Sequence, residues 1–370
     1  MGFQAPVDCA GLSACDRGRV PARPACTVPA VRVSGTQCPV NAPEQRLHYR
    51  GAGWTGQAAM QKRYNDLATH LRTLFGCRVQ KISVDAGLSC PNRDGHLATG
   101  GCIYCNSRGS GTGAHRAGLS ISAQLAAGKQ ALARRYGAEK FIAYFQAFSN
   151  TYAPVEVLKA LYDEALAVPG IVGLSIGTRP DCVTAPVLDL LAGYARQRLV
   201  WVEYGLQSAR DETLVRIHRR HDAGCFFRAV ELTRNRGIRI CAHVILGLPG
   251  ETRADMLYTA DRLADAGIDG LKLHVLYVVK GTPMEALFRS GEYRCLEQQE
   301  YVDLACDVLE RIPASVVIQR LTGDPHPEEL TAPAWCRNKA ATLAMIGAEL
   351  ERRNSRQGAR AASAAQERLS

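Results

Sequence analysis

The sequence predicts an α/β protein, a partial (β/α)6 barrel with a small C-terminal α/β extension. Short β-branched runs alternate with amphipathic stretches of helical length, which is typical of parallel βα units. Six such units follow one another, and we expect them to curve into a partial barrel rather than a flat sheet. Polar and glycine residues follow the end of each predicted strand. The carboxyl ends of the strands form the active-site face of a parallel barrel, so this distribution favours an enzyme.

The predicted elements alternate regularly along the chain. The strands are expected at 79–84, 140–145, 172–176, 200–206, 239–246 and 270–278. The helices are expected at 121–136, 155–168, 186–196, 222–236, 253–266, 284–290 and 297–311. A further strand at 316–319 begins the last part of the C-terminal extension.

Composition and the two ends of the chain define the domain organisation. The chain has 370 residues, of which 46% are hydrophobic and 22% charged, and this excludes wholesale disorder. No apolar run is long enough to cross a membrane, so we expect no membrane partner. We divide the chain into a flexible N-terminal extension at 1–53, a core barrel at 54–290, a module closing the barrel at 291–353 and a flexible tail at 354–370.

Fourteen cysteines are many for this length. The N-terminus lacks the cationic start and apolar segment of a secretory signal, so we expect a cytoplasmic protein in which clustered cysteines bind metal or take part in catalysis. Four of them, Cys9, Cys15, Cys26 and Cys38, lie in the N-terminal extension without zinc-site spacing. We interpret these four as unstructured thiols.

Three cysteines lie in a glycine-rich loop directly after the first predicted strand: Cys90, Cys102 and Cys105. A structural zinc site needs four ligands, and a distant fourth could come from Cys77 or His96. Three thiolates also suit a [4Fe-4S] cluster in which the fourth iron stays open to a small molecule. Both metals remain possible from the spacing.

The other strand ends carry equally unusual residues. Gln146, Ser149 and Asn150 follow the second strand, and the third is followed by Gly-Thr-Arg-Pro-Asp from Gly177. The fourth contains Glu-Tyr-Gly-Leu-Gln-Ser from Glu203, and the fifth runs into Gly-Leu-Pro-Gly-Glu-Thr from Gly247. Each segment alone could be a turn or a helix cap. Their shared position predicts one site at the carboxyl ends of the strands.

These segments resemble the radical S-adenosylmethionine (SAM) enzymes, and within them the YhcC-like branch related to the Elongator, MiaB and NifB enzymes. The resemblance covers residues 54–353. Its most specific motifs are the loop from Cys90 to Cys105, the segment from Glu203 and the segment His-Val-Ile-Leu-Gly-Leu-Pro-Gly-Glu-Thr from His243. The commonest superfamily signature has three residues between its first two cysteines, whereas eleven stand here, as in the wider-spaced branch.

The resemblance implies a TIM-like partial barrel that binds a [4Fe-4S] cluster and SAM and cleaves SAM reductively to a 5′-deoxyadenosyl radical. It implies that Cys90, Cys102 and Cys105 ligate the cluster. The residues it implies for SAM binding are Tyr104, Gln146, Ser149, Asn150, Arg179, Glu203, Gln207, Gly247 and Leu248. Gln146 to Asn150 stand where the superfamily has Gly-Gly-Glu, so the atom that binds the SAM amino group stays open. No catalytic residue acting on substrate is identified.

Among its relatives the family includes an enzyme of tRNA wobble-uridine maturation, which converts a carboxymethylaminomethyl group to aminomethyl. The resemblance therefore implies tRNA as a partner, together with a one-electron donor such as flavodoxin or ferredoxin. The net charge of +10 agrees with a polyanionic partner. Two sets of cationic residues could grip phosphates or simply form a solvated face: Arg93, His96, Arg108, His115 and Arg116, and the run Arg216, His218, Arg219, Arg220 and His221.

Two other classes of function remain open from the sequence. One is a radical SAM enzyme acting on a small molecule or peptide. The other is a non-catalytic zinc or iron–sulfur protein that binds nucleic acid.

Overall fold

Parallel strands side by side in one sheet dominate the computed structural model of the chain, which describes residues 62–106, 109 and 112–361. The strands are β1 (Val79–Val84), β2 (Lys140–Phe145), β3 (Ile171–Thr178), β4 (Leu199–Gln207), β5 (Arg239–Leu246), β6 (Gly270–Val275), β7 (Val278–Val279), β8 (Val317–Arg320) and β9 (Leu330–Ala332). The order in the main sheet is β1-β2-β3-β4-β5-β6-β8, and every neighbouring pair is parallel. The predicted half-barrel of parallel βα units is confirmed.

Helices connect the strands and cover one face of the sheet. They are α1 (Leu67–Phe75), α2 (Ile121–Tyr136), α3 (Val155–Ala167), α4 (Ala185–Ala195), α5 (Asp211–Arg216), α6 (Ala223–Thr233), α7 (Arg253–Asp265), α8 (Pro283–Arg289), α9 (Gln298–Arg311) and α10 (Lys339–Arg352). Local chemistry fixes several of their starts. Ser120 caps α2, Asp222 caps α6, and Thr252 forms a capping box with Asp255 at α7.

Two apolar layers surround the sheet. The larger one lies between the sheet and the helices and includes Phe145, Leu174 and Leu271. A smaller group inside the barrel contains Trp201, Cys241 and Val317. The ring of His70 on α1 meets Trp201 edge-on, with 6.5 Å between ring centroids. Helix α1 therefore packs at the amino ends of the strands, and the site lies at the opposite ends.

The C-terminal extension completes the sheet. Strand β8 pairs with β6 and is the seventh strand, one more than the six predicted in the barrel. The predicted strand 270–278 ends at Val275, because residues 278–279 turn to form the separate antiparallel pair β7–β9. Helices α1, α5 and α10 were not predicted. The first two are nine and six residues long, too short to show a clear helical period.

Part of the predicted C-terminal tail is packed against the body of the protein. Gln357 is buried, and its amide donates to the carbonyls of Pro313 at 2.7 Å and Val316 at 2.8 Å. Residues 354–361 are therefore fixed, and residues 362–370 lie outside the described part of the chain. The predicted flexible extension at 1–53 also lies outside it. In the described residues, no helix is both long and apolar enough to cross a membrane.

Candidate active site

A single cavity at the carboxyl ends of the strands brings most of the predicted site residues together. Its volume is about 180 Å³, and it opens to solvent. The predicted residues in its lining are Cys90, Cys102, Tyr104, Cys105, Gln146, Ser149, Arg179, Glu203 and Gln207. Of the sequence-predicted set, Asn150, Gly247 and Leu248 are outside this lining.

The cysteine loop is held by short-range backbone hydrogen bonds. The Arg93 N–H donates to the carbonyl of Cys90 at 2.8 Å, and the Cys105 N–H donates to that of Cys102 at 3.0 Å. Buried Asn92 anchors the loop, because its amide donates to the carbonyl of His218 at 2.8 Å and approaches the Cys102 sulfur at 3.6 Å. Cys90 and Cys102 are buried and Cys105 is half-buried. The loop therefore presents three thiols to one cavity.

Arg219 lies against these thiols. It is buried, donates to the carbonyl of Gly205 at 2.7 Å and approaches the Cys102 sulfur at 3.7 Å. The interpretation of Arg219 as part of a phosphate-gripping run is therefore wrong. His218 and Arg220 on either side have φ of 56° and 62°, and this local geometry accompanies the inward turn of Arg219. A charge run gives no sequence signal for such a turn.

Arg93 is a second cation at the thiol end of the cavity. Its guanidinium donates to the Cys105 carbonyl at 3.3 Å and lies over the Phe148 ring, 5.6 Å from the centroid. From the sequence, Arg93 was considered only as one of the cationic residues that could bind phosphate. Of the other cationic candidates, Arg108 lies outside the described residues, and His96 packs near Tyr152 outside the cavity lining.

The donor set fits a soft metal centre. Burial, with the nearby Cys102 and Cys90 sulfurs, raises the pKa of the Cys105 thiol to about 11, although Arg93 and Arg219 oppose this. The Cys105 thiol would ionise on binding a metal, because the cation stabilises the thiolate. Neither Cys77 nor His96, the predicted fourth zinc ligands, lines the cavity. The three cysteines therefore fit an iron–sulfur cluster with an open iron better than a closed zinc site.

Arg179 and Gln207 offer unpartnered polar groups to the cavity. The Arg179 guanidinium is held by Asp181 through bonds of 2.8 Å and 2.6 Å, while its buried Nη1 has no hydrogen-bond partner among the described residues. The Gln207 side chain makes no hydrogen bond to any described residue, and its backbone has φ of 74°. A non-glycine residue in the left-handed region is uncommon and marks functional sites.

Both carboxylate oxygens of Glu203 already accept hydrogen bonds from other side chains of the protein. Its Oε1 accepts hydrogen bonds from Lys81 at 2.5 Å and from Ser175, and its Oε2 accepts from His243 at 2.8 Å and from Lys272. Burial opposes ionisation, but Lys272 and Lys81 hold the pKa of Glu203 well below its usual range. Contact between Glu203 and SAM stays a prediction, and the structure gives this carboxylate four protein donors.

Of the other predicted residues, Asn150 and Gly247 lie outside the cavity lining, and Gln146 is bonded to strand β1. Gln146 lines the cavity but donates to Ser83 at 2.9 Å, and the Asn150 amide braces the loops through the carbonyls of Ala147 and Gly177. Gly247 has φ of 85°, and its carbonyl accepts a bond of 2.7 Å from the Tyr293 hydroxyl. The C-terminal module therefore covers this glycine.

A second group with metal-ligand chemistry lies beside the cavity. Single ligand atoms of Glu203, Cys241 and His243 fall within 4.8 Å of one another. Lys81 and Lys272 already contact the Glu203 carboxylate, so a metal cation there would meet two ammonium groups. Burial, with Glu203 nearby, raises the pKa of the Cys241 thiol and keeps it protonated. These residues do not form a metal site.

Family models match most of this fold. The model of the radical SAM superfamily matches residues 95–284, and that of the radical SAM C-terminal domain matches residues 268–352. The predicted module at 291–353 lies almost wholly within the second match.

Several curated proteins are similar over most of their length. The uncharacterized protein YtqA of Bacillus subtilis is 44% identical over 298 residues, covering 80% of this chain and 92% of that protein. YhcC of Escherichia coli K12 is 41% identical over 283 residues, covering 76% of this chain and 90% of that protein. Human Elongator complex protein 3 is 28% identical over 161 residues, covering 42% of this chain and 29% of that protein.

A solved structure confirms the fold. The chain superimposes on the archaeal Elp3 of Methanocaldococcus infernus with a TM-score of 0.59 and 16% identity, covering 75% of this chain and 64% of that chain. Superfamily membership implies a [4Fe-4S] cluster and SAM, and the cavity with its three cysteines and unpartnered Arg179 Nη1 fits both. It also makes the chain an enzyme and replaces the non-catalytic alternative. On the strength of its sequence relatives and its half-barrel, this chain belongs to the radical SAM superfamily, alongside YtqA and YhcC.

Proposed function

We propose that Cys90, Cys102 and Cys105 hold the [4Fe-4S] cluster, that Arg179 and Gln207 contact SAM beside it, and that the substrate is the wobble uridine of tRNA. The observation that carries the cofactor assignment is that three thiols meet the Arg179 Nη1 atom and the Gln207 amide in one cavity, and neither of these two groups has a partner among the described residues. Bound together, the reduced cluster and SAM supply a 5′-deoxyadenosyl radical, which removes a hydrogen atom from an unactivated C–H bond. A donor such as flavodoxin or ferredoxin provides the electron.

The residues of the cavity orient the cofactors and exclude water. Arg179 is fixed by Asp181, so its Nη1 is already aimed for a carboxylate. Tyr104 stands beside the cysteines, where its ring can support the adenine. Arg93 and Arg219 place positive charge beside the sulfur ligands and stabilise the anionic cluster.

The proposed reaction converts a carboxymethylaminomethyl group to aminomethyl. Atoms and electrons balance when one water is consumed and glyoxylate is released. Of the two electrons taken from the substrate, one leaves with the abstracted hydrogen atom, and the other replaces the electron that the donor supplied. The resemblance to a family that includes an enzyme of tRNA wobble-uridine maturation supports an RNA substrate. Arg220 supports it too, because this exposed cation follows Arg219, which contacts the cysteine loop.

The decisive experiment supplies tRNA to the anaerobically reconstituted enzyme with SAM and a reductant. We expect 5′-deoxyadenosine, glyoxylate and the aminomethyl nucleoside to form in equal amounts. Mass spectrometry of tRNA nucleosides from cells with and without the gene provides the independent check. If tRNA neither binds nor raises SAM cleavage above the uncoupled background, the substrate is a small molecule or a peptide instead.

Binding of tRNA should depend on cations near the cavity. Replacing exposed Arg220 with glutamate is expected to weaken tRNA binding and to make it less sensitive to salt, because a lost phosphate contact releases fewer counterions. Arg134→Glu is the matched control, since this exposed residue lies in the last turn of α2, at the opposite end of the barrel. Affinities measured over a range of salt concentrations test this, and equal slopes for both variants would contradict it.

Gln207→Ala should weaken SAM binding while leaving the iron content unchanged. The loss is expected to be about 1–3 kcal/mol, because a buried polar contact to the cofactor would be left unmade. Equilibrium binding of SAM to the reconstituted enzyme measures it. Gln299→Ala is the control, since Gln299 is an exposed amide on α9. Equal SAM affinity in the two variants would make Gln207 a structural residue.

A further inference from the structure

A polar network lines the interior face of the sheet, next to the cysteine cavity. Strand residues that turn away from the helices carry charged and imidazole groups here, where most parallel barrels have aliphatic layers. The members of this interior polar network are Lys81, Ser175, Glu203, His243, Lys272, His274 and Arg320. Buried charges need partners of opposite sign, so we compare the positive and negative groups within the network.

The network is short of negative charge. Lys81 and Lys272 share one carboxylate, that of Glu203, and among the described residues no other carboxylate pairs with either. Burial and the neighbouring Lys272 lower the pKa of Lys81 to about 8 in spite of its contact with Glu203. Burial lowers the pKa of Lys272 as well. One carboxylate therefore does not compensate the cations around it.

Arg320 adds a third cation with no partner of its own. A bulge in the β6–β8 ladder shifts the register, so that Leu271 pairs with Ile318 but Lys272 pairs with Arg320. Ile318 packs in the core between the sheet and the helices. The bulge places Arg320 on the interior face of the sheet, beside Lys272. Arg320 is half-buried and forms no hydrogen bond or ion pair within the described ranges of the chain. Its charge acts on His274 and Tyr144.

His274 connects Arg320 to the cysteine cavity. Its ring centroid lies 5.7 Å from that of His243, and His243 lines the cavity. Burial and the charge of Arg320 hold the pKa of His274 well below its usual value, so the ring is neutral and can donate one hydrogen bond. Its side chain forms no hydrogen bond with any residue that the structure describes. Two half-buried donors, Arg320 and His274, thus face the same interior beside the cofactor site.

We propose that Arg320 and His274, next to Lys272, bind a carboxylate of the substrate inside the barrel. A planar guanidinium with an adjacent imidazole N–H matches a carboxylate. An RNA backbone phosphate is flanked by nucleotides on both sides, whereas a carboxylate can stand at the end of a side group, so the carboxylate is the better match for an interior subsite. This inference rests on the proposed function, in which the carboxymethyl group of the modified uridine provides that carboxylate. The carbon to be attacked would then lie between this subsite and the cysteine cavity.

Calorimetry of the SAM-loaded, anaerobically reconstituted enzyme tests the subsite without turnover. The probes are 5-carboxymethylaminomethyluridine, 5-aminomethyluridine and inorganic phosphate. We expect the unsubstituted enzyme to prefer the carboxylate nucleoside by roughly 10- to 100-fold and Arg320→Met to abolish this preference, since hydrogen bonds to charged groups are of that strength. Arg320→Lys should retain part of it. SAM affinity should be unchanged, and the Tm of Arg320→Met should not fall, because an unpaired cation is removed.

The outcomes separate the subsite from the proposed function. Lack of a carboxylate preference, its persistence in Arg320→Met, or equal competition by phosphate would overturn the subsite. Loss of SAM affinity in Arg320→Met would assign the residue to SAM, and a large fall in Tm would make it structural. If tRNA supports no turnover but the Arg320-dependent preference remains, the substrate assignment fails and the subsite stands. If tRNA is converted while Arg320→Met binds both nucleosides as before, the subsite fails and the function stands.

Discussion

Replacing Cys90, Cys102 and Cys105 together with alanine is expected to leave the protein without its iron–sulfur cluster and without SAM cleavage. The reconstituted protein should hold about four irons per chain, and the variant none above background, because no other described cysteine lines the cavity. Iron and sulfide analysis after anaerobic reconstitution measures this. Exposure of the native protein to air should also destroy the cluster, since an iron open to SAM is open to oxidants.

Cys182→Ala is the matched control for the triple variant. Cys182 is buried close to the site, and burial together with Asp181 raises the pKa of its thiol to about 12, so it stays protonated. We expect this variant to keep its iron. A chain beginning at Trp54, which lacks the four N-terminal cysteines, should keep the cluster and SAM cleavage as well. Full iron content in the triple variant would overturn the ligand assignment.

Glu203→Gln should cost about 3–5 kcal/mol of the free energy of unfolding, because it leaves buried Lys272 and half-buried Lys81 without their counter-charge. Urea unfolding of the protein without cofactors measures the loss. The structural reason is direct: the Glu203 side chain is fully buried and contacts both ammonium groups. This stability effect should exceed any effect on SAM affinity.

The double variant Glu203→Gln with Lys272→Met provides the control. Removing one of the two uncompensated cations should recover part of the lost stability, so the two substitutions should not be additive. Additive losses would show that Glu203 and Lys272 do not act as a pair. Normal stability in Glu203→Gln combined with weak SAM binding would instead place this carboxylate at the cofactor.

The strands and longer helices were predictable because their burial is periodic. Strands β1, β2 and β5 and helix α2 begin and end where the pattern of β-branched and amphipathic residues places them. Short elements such as α5 escape this reasoning, because six residues do not complete a recognisable period. Strand β8 was predicted as part of an extension, yet its partner β6 precedes it by more than 40 residues, and pairing over that distance leaves no local signal.

The site was predictable only in part, for a related reason. Three cysteines lie in one glycine-rich loop, and this clustering alone indicates a metal centre. Arg219 and Arg320 look like ordinary surface cations in the sequence. The first turns inward between two residues of positive φ, and the second through a shift in strand register. Such turns are set by backbone geometry that composition does not encode.

The four donors around Glu203 have a consequence for how the chain folds. The donors come from β1, β3, β5 and β6, whereas the carboxylate lies on β4. All four of its hydrogen bonds can therefore form only when these five strands are in place. A partly assembled sheet that contains β4 but lacks both β1 and β6 would bury the Glu203 carboxylate without either lysine and would lie high in free energy. Intermediates with a few finished strands should therefore be scarcely populated. The half-barrel should assemble cooperatively, and a fragment that contains β4 but neither β1 nor β6 should not fold independently.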